Sequence, residues 1–381
     1  MEIQALLNIT YGWEGLNSPW RMVVVIVYLI VGLVLLVYGG DWFVDGSVWF
    51  AEKFKIPKLI IGATVVSMCT TMPEFLVSTF ASIEGASFLR AGEDALAVSS
   101  VDMATGNAIG SVICNTGLIL ALSMLFRPMN VERKTFLVKP LMLIFSIGMF
   151  WILVIDRQFQ FWDGIIMLLI LVAFLVDNII EAKQQMAKES SLGREIKETK
   201  MPVIPSQTAS KEDKSQEKVN ENQEKNEKKN STAYYVFLFF IGVLAIIVGA
   251  QLLVDNGTEF ATELGVSNKI IAVTIVAIGT SLPELITAII SIIKKQSDLS
   301  VGNIIGANII DQCLILSVAS FIFPSALPVY NSTMYLDLPF GLTIALAAIV
   351  PTLVSGKLKR WQGFTCLGLY ISYLVLYFIY F

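Results

Sequence analysis

The sequence predicts an all-α integral membrane protein, with about ten transmembrane helices in two inverted five-helix repeats and with helices 2 and 7 broken. Three observations carry this expectation. Of 381 residues, 55% are hydrophobic and only 15% charged, against about a quarter charged in an ordinary soluble domain. Many of the charges are confined to one stretch between Asn178 and Asn230. Finally, the chain on one side of that stretch repeats the motifs of the chain on the other side.

Apolar runs long enough to cross a bilayer core of about 30 Å fall at about 22–40, 58–83, 98–126, 136–155, 160–181, 234–254, 268–293, 299–323, 335–353 and 362–380. They divide the chain into a short extracellular N-terminal segment (1–21), a first five-helix repeat (22–181), a linker (182–233) and a second five-helix repeat (234–381). The linker is rich in Lys, Glu, Gln, Asn and Ser and nearly free of aromatic residues. Such a segment buries too little apolar surface to offset its ordering entropy, so it is expected to be flexible. It has neither the alternation of a strand domain nor an EF-hand loop.

Orientation follows from Lys and Arg, which concentrate in cytoplasmic loops. With the linker in the cytoplasm, alternate loops on the same side hold Lys53, Lys55 and Lys58, then Arg127, Arg133, Lys134 and Lys139, then Lys294 and Lys295, then Lys357, Lys359 and Arg360. The opposite side holds only Arg21, Arg90, Arg157 and Lys269. Both termini are therefore expected outside a plasma (cell inner) membrane that the chain crosses many times.

A shift of 210 residues lays Val44-Asp45 on Val254-Asp255, and Thr64, Thr70, Pro73 and Glu74 on Thr274, Thr280, Pro283 and Glu284. Farther on, a shift of 196 lays Gly106-Asn107-Ala108-Ile109-Gly110 on Gly302-Asn303-Ile304-Ile305-Gly306. The change of offset marks an insertion in the first copy, around Gly85 to Val98, expected in an outside loop. An odd number of spans per copy turns the second copy upside down, the arrangement of secondary transporters that bind ions near the midplane.

The chemistry is concentrated in the repeated motifs. There is no histidine, which removes the commonest general base and metal ligand; Ser-His and zinc hydrolase chemistry fall away, and no enzymatic activity is expected. The four cysteines lie singly in apolar segments and read as packing residues. Glu74 and Glu284 lie deep in apolar segments, where a charge costs several kcal/mol unless it meets a partner or a polar cavity. No Lys or Arg stands nearby to pair with them, and at equivalent positions of an inverted repeat they would converge. Two converging carboxylates suit a hard cation, Ca2+ or Na+. Pro73 and Pro283 break the helix against the carbonyls of Cys69 and Gly279, and Thr70, Thr71, Thr280 and Ser281 add hydroxyl oxygens. In the next helix Ser111 and Asn115 share one face, as do their counterparts Ala307 and Asp311. Gly106 with Gly110, and Gly302 with Gly306, make small-residue faces for close helix packing.

With these motifs, Cys69-Thr70-Thr71-Met72-Pro73-Glu74 and Gly279-Thr280-Ser281-Leu282-Pro283-Glu284, each followed by a Gly-Asn-x-x-Gly element, the chain resembles the Ca2+/cation antiporter superfamily, specifically its prokaryotic sodium/calcium exchangers. The resemblance covers nearly the whole chain. It implies that Glu74 and Glu284, with Thr70 and Thr280, are central Ca2+ ligands. It also implies that Thr71, Ser281, Ser111, Asn115 and Asp311, with backbone oxygens near Ser67 and Ala277, complete the Ca2+ and Na+ sites. The expected activity is Na+/Ca2+ antiport by alternating access, with Ca2+/H+ antiport and K+-dependent Na+/Ca2+ exchange as alternatives on the same fold. The expected partners are the transported ions Ca2+ and Na+ and the lipid bilayer; no cofactor and no nucleic acid are expected, and the protein is expected to function as a monomer. The chain departs from the family pattern at Cys69, where Gly is usual, and after Ser111, where Val112 replaces Asn. It departs most at Ala307, where Ser is usual and an oxygen ligand is lost.

Overall fold

The computed structural model describes residues 18–131, 133–199, 213–264 and 277–380. Twelve helices are numbered here in chain order: α1 (Ser18–Phe54), α2 (Lys58–Thr70), α3 (Met72–Ala91), α4 (Asp94–Phe126), α5 (Arg133–Leu153), α6 (Phe161–Thr199), α7 (Asp213–Glu263), α8 (Ala277–Thr280), α9 (Leu282–Ile293), α10 (Ser297–Ile322), α11 (Thr333–Ser355) and α12 (Arg360–Tyr380). Among the described residues eight helices are long and apolar enough to span a membrane, and the pair α2–α3, bent by 45°, forms a ninth. The remaining expected span, 268–293, lies partly outside the described residues; its described part is α8 and α9. The multi-pass helical membrane architecture is thus as expected.

Two differences from the sequence expectation have plain physical causes. The insertion around Gly85 to Val98 is not a loop. It lengthens α3 to Ala91 and starts α4 at Asp94, so the first repeat carries a helical hairpin where α9 ends at Ile293 and α10 begins at Ser297. Gly92, at φ +80°, supplies the left-handed residue that ends α3. Gly85 lets the two arms meet, since a Cβ there would press on Val101 and the Ala97 carbonyl. Likewise the stretch expected as a linker is helical where described, α6 running to Thr199 and α7 starting at Asp213. Its Glu, Lys and Gln residues are good helix formers, and a formed helix propagates at little cost. Residues 200–212 lie outside the described residues.

The inverted relation is written in four short strands: β1 (Met129–Asn130), β2 (Gln158–Phe159), β3 (Leu327–Pro328) and β4 (Lys357–Leu358). β1, which follows the third span of the first repeat, pairs antiparallel with β4, which follows the fourth span of the second; β2 and β3 pair in the reciprocal way. Two loops at different places in their repeats can share a membrane face in this manner only if one repeat is upside down.

Helices α4 and α10 form the centre. In their most apolar windows 72% and 83% of residues are buried, against 22% in α1 and α12. Polar pairs bind α4 to α10: Asn308 Nδ2 donates to Thr116 Oγ1 at 2.7 Å, and Ser123 and Ser300 share a hydrogen bond at 3.2 Å. Outside this bundle α1 packs antiparallel on α7 through glycines one heptad apart. A Cβ at Gly32 would meet the Gly249 carbonyl, one at Gly39 would meet Ala245, and one at Gly46 would meet Phe239. Such contacts bring backbones together and replace the hydrophobic drive that lipid removes. Lys294, just past α9, ties α1 to the bundle: its Nζ lies 2.7 Å from carboxylate oxygens of both Asp41 and Asp45 and donates to the Asp41 carbonyl at 2.8 Å.

A second ion pair has its cation buried and its carboxylate partly exposed. Lys139 of α5 is fully enclosed and pairs with Glu181 of α6. Breaking one side of such a pair strands a charge. Lys139→Ala is therefore expected to destabilise the protein by ~1.5–3 kcal/mol, the worth of a hydrogen bond to a charged group, read as a drop in the thermal unfolding temperature in detergent. An unchanged unfolding temperature would show that the pair contributes nothing.

Candidate functional site

Both helix breaks fall one residue before an N-terminal Met-Pro or Leu-Pro step. Thr71 has φ −78° and ψ −4°, and Ser281 has φ −89° and ψ 9°. Neither hydroxyl caps its helix, so both remain free to face the interior. Glu74 and Glu284 then stand in the first turns of α3 and α9, where the positive end of the helix dipole favours a carboxylate. Each is 1% exposed.

The repeats meet at these residues. Thr71 Oγ1 of the first donates to Glu284 Oε1 of the second at 3.3 Å. Thr70 Oγ1 donates to Asn303 Oδ1 at 3.2 Å. Asn115 Nδ2 donates to Asp311 Oδ2 at 3.3 Å. Glu74, Glu284 and Asp311 are close enough to repel one another. No group of three or more acidic, Cys or His side chains converges tightly enough to hold a metal among the described residues, so an ion here would need hydroxyl, amide and carbonyl oxygens as well.

Such oxygens are present and idle. Glu74 Oε2, Glu284 Oε2, Asp311 Oδ1, Asn115 Oδ1 and Ser281 Oγ are buried and lack any hydrogen-bond partner among the described residues. Orphaned buried acceptors of this kind are costly, and carboxylate, amide and hydroxyl oxygens are the donors that hard cations take. Ser111, 3% exposed, lines a neighbouring cavity with Thr280. Ser67 is fully buried, but its carbonyl already accepts the Thr71 N–H at 2.9 Å and the Thr70 hydroxyl at 3.3 Å. Ala277 begins α8. Ala307 is fully buried and offers no oxygen from its side chain.

Several contributors are not marked by sequence alone. Asn107 Nδ2 donates to the Glu74 carbonyl at 3.3 Å and to Ser78 Oγ at 3.0 Å, bracing the first glutamate. Its counterpart Asn303 braces Thr70 instead. The sequence signal for both residues is the Gly-Asn step that each repeat shares. The helices also widen into π turns at equivalent places, Asn115–Ile119 and Asp311–Ile315, each beginning on a candidate ligand. π turns leave backbone carbonyls displaced and are frequent at functional sites. Close packing of α10 on α2 holds the arrangement: a Cβ on Gly302 would strike the Leu59 carbonyl, and one on Gly306 the Ala63 carbonyl and Ser67 Oγ.

Comparison with known proteins follows the same lines. The family described as sodium/calcium exchanger protein matches residues 24–179 and 234–379. An uncharacterised membrane protein of Methanocaldococcus jannaschii is 32% identical over 90% of this chain and 95% of its own. A putative antiporter of Alkalimonas amylolytica is 30% identical over 94% of this chain and 99% of its own, and a sodium/calcium exchanger of Methanosarcina acetivorans is 28% identical over 92% and 97%. The solved sodium-calcium exchanger NCX_Mj superposes with a TM-score of 0.69 at 29% identity, covering 93% of this chain and 99% of that one.

Proposed function

Because the chain belongs to the sodium/calcium exchanger protein family, we propose that it exchanges Na+ for Ca2+ across the plasma membrane by alternating access, with the linker cytoplasmic and both termini outside. One observation carries the reading of the site. Two buried glutamates, one from each inverted repeat, each keep an oxygen without a hydrogen-bond partner among the described residues, and Thr71, three residues before Glu74, donates across the repeats to Glu284. Glu74 and Glu284, with Thr70 and Thr280, hold Ca2+. Thr71, Ser281, Ser111, Asn115 and Asp311 extend the oxygen shell over which several Na+ ions compete with it. No cofactor takes part; the ions are the substrates, and a single chain supplies the whole ligand set.

The test is 45Ca uptake into proteoliposomes with Na+, K+ and pH gradients imposed separately. Uptake driven by the Na+ gradient alone is the expected result. Uptake that follows only the pH gradient would replace this reading by Ca2+/H+ exchange, and uptake that collapses without K+ would replace it by K+-dependent exchange.

The two repeats supply unequal oxygens, Ser111 and Asn115 against Ala307 and Asp311. Ala307→Ser restores one hydroxyl beside Asp311, and a single added ligand is worth about 1 kcal/mol. The Na+ concentration for half-maximal exchange is expected to fall a few-fold. No change in Na+ dependence would remove position 307 from the Na+ shell.

A further inference from the structure

A carboxylate outside the described ion shell shares a cavity with it. Asp337 lies one turn into α11, 9% exposed, toward the face of the β2–β3 pair. A charge at such a place is expensive unless it serves a function. Each of its oxygens is held by a neutral hydroxyl: Thr333 Oγ1 donates to Oδ2 at 3.0 Å, and the Tyr373 hydroxyl donates to Oδ1 at 3.1 Å. Hydroxyls orient a carboxylate without cancelling its charge, and no Lys or Arg pairs with it among the described residues. Asp337 lines a cavity of about 250 Å³ whose other walls include Ser111, Thr280 and Asn107. Tyr370, Tyr373 and Tyr377 from α12 add three aromatic rings to the lining, and aromatic faces attract cations.

We propose that Asp337, with Thr333 and Tyr373, is a second, peripheral binding site for a monovalent alkali cation, from which the ion passes through this cavity to the central carboxylates. A single carboxylate carries one negative charge, which matches a singly charged ion. Ca2+ takes six to eight oxygens, usually with several carboxylates. The hydroxyls of Thr333 and Tyr373 fix the carboxylate in place at the wall of the cavity. The inference rests on the antiport reading above, since it concerns how the driving ion reaches that site.

The experiment measures, in proteoliposomes, the Na+ concentration for half-maximal 45Ca uptake and, separately, Ca2+/Ca2+ exchange, which needs no monovalent ion. K+ is substituted for Na+ in a parallel arm. Asp337→Asn is expected to raise the half-saturating Na+ concentration roughly fivefold to tenfold, as loss of one charge-assisted contact does. The ratio of Na+-driven uptake to Ca2+/Ca2+ exchange should fall with it, and Asp337→Glu should restore much of both. Tyr373→Phe should shift the same quantity less. A half-saturation that stays at the wild-type value overturns the proposal, as does an equal loss of both transport modes, which marks a structural carboxylate. Failure of the wild-type protein to take up Ca2+ against Na+ would instead overturn the antiport reading, so the two failures are distinguishable.

Discussion

Replacing either Glu74 or Glu284 by Gln is expected to abolish Na+-driven Ca2+ uptake, a loss of at least about 100-fold. The substitution keeps shape and volume, so it isolates the charge. Loss of an outer partner that only orients a metal ligand already costs 10–100-fold in affinity, and a direct carboxylate ligand to a divalent ion contributes more. Both residues are 1% exposed and each has an oxygen that nothing in the described protein satisfies. The Gln amide would also turn an N–H donor toward the ion. The measurement is initial 45Ca flux for wild type and variants at matched protein density, with monodisperse elution in detergent showing that the fold survives. Robust Na+-driven flux in either variant would sink the assignment.

The second large effect concerns packing. Gly306→Ala is expected to destabilise the protein by about 1–3 kcal/mol or more, and the result should be poor accumulation or a markedly lower unfolding temperature. The added methyl would press on the Ala63 carbonyl and Ser67 Oγ, and at Gly302 it would press on the Leu59 carbonyl. A backbone oxygen in a helix cannot rotate aside as a side chain does, so α10 must back away from α2. That retreat would also pull Asn303 off Thr70, which it meets at 3.2 Å. Gly368→Ala is the control, because nothing lies within 4 Å of a Cβ there. Unfolding of Gly306→Ala at the wild-type temperature would show that the two helices relax freely.

What the sequence made legible was what periodicity and charge encode directly. Apolar runs gave the spans, and the motif repeat gave the inversion that the β1–β4 and β2–β3 pairs express. Glu74 and Glu284 were conspicuous because an unpaired acid in an apolar run is rare. Three features were hidden for physical reasons. The first-repeat hairpin has Gly85 within α3 and Gly92-Glu93 at its turn, residues that locally favour a loop over the whole insertion; tertiary contact between α3 and α4 confines the turn to Gly92 and Glu93. The π turns at Asn115 and Asp311 depend on how α4 and α10 cross, for which no residue type is a signal. Asp337 lies near the end of an apolar run, beside Leu336, Leu338 and Pro339, and its sequence neighbours do not show that Tyr373 would reach it.

The two small strand pairs have a mechanical consequence. Each is a hoop of backbone hydrogen bonds, one at each face, and together they link the ends of α4, α5, α6, α10, α11 and α12. Helices α1 and α7, and the broken pairs that carry the glutamates, lie outside both hoops. The molecule is thereby divided into a frame clamped at top and bottom and a set of unclamped rods. Neither strand pair reaches α1 or α7, so a displacement of these two helices along the membrane normal would break no hydrogen bond of either hoop.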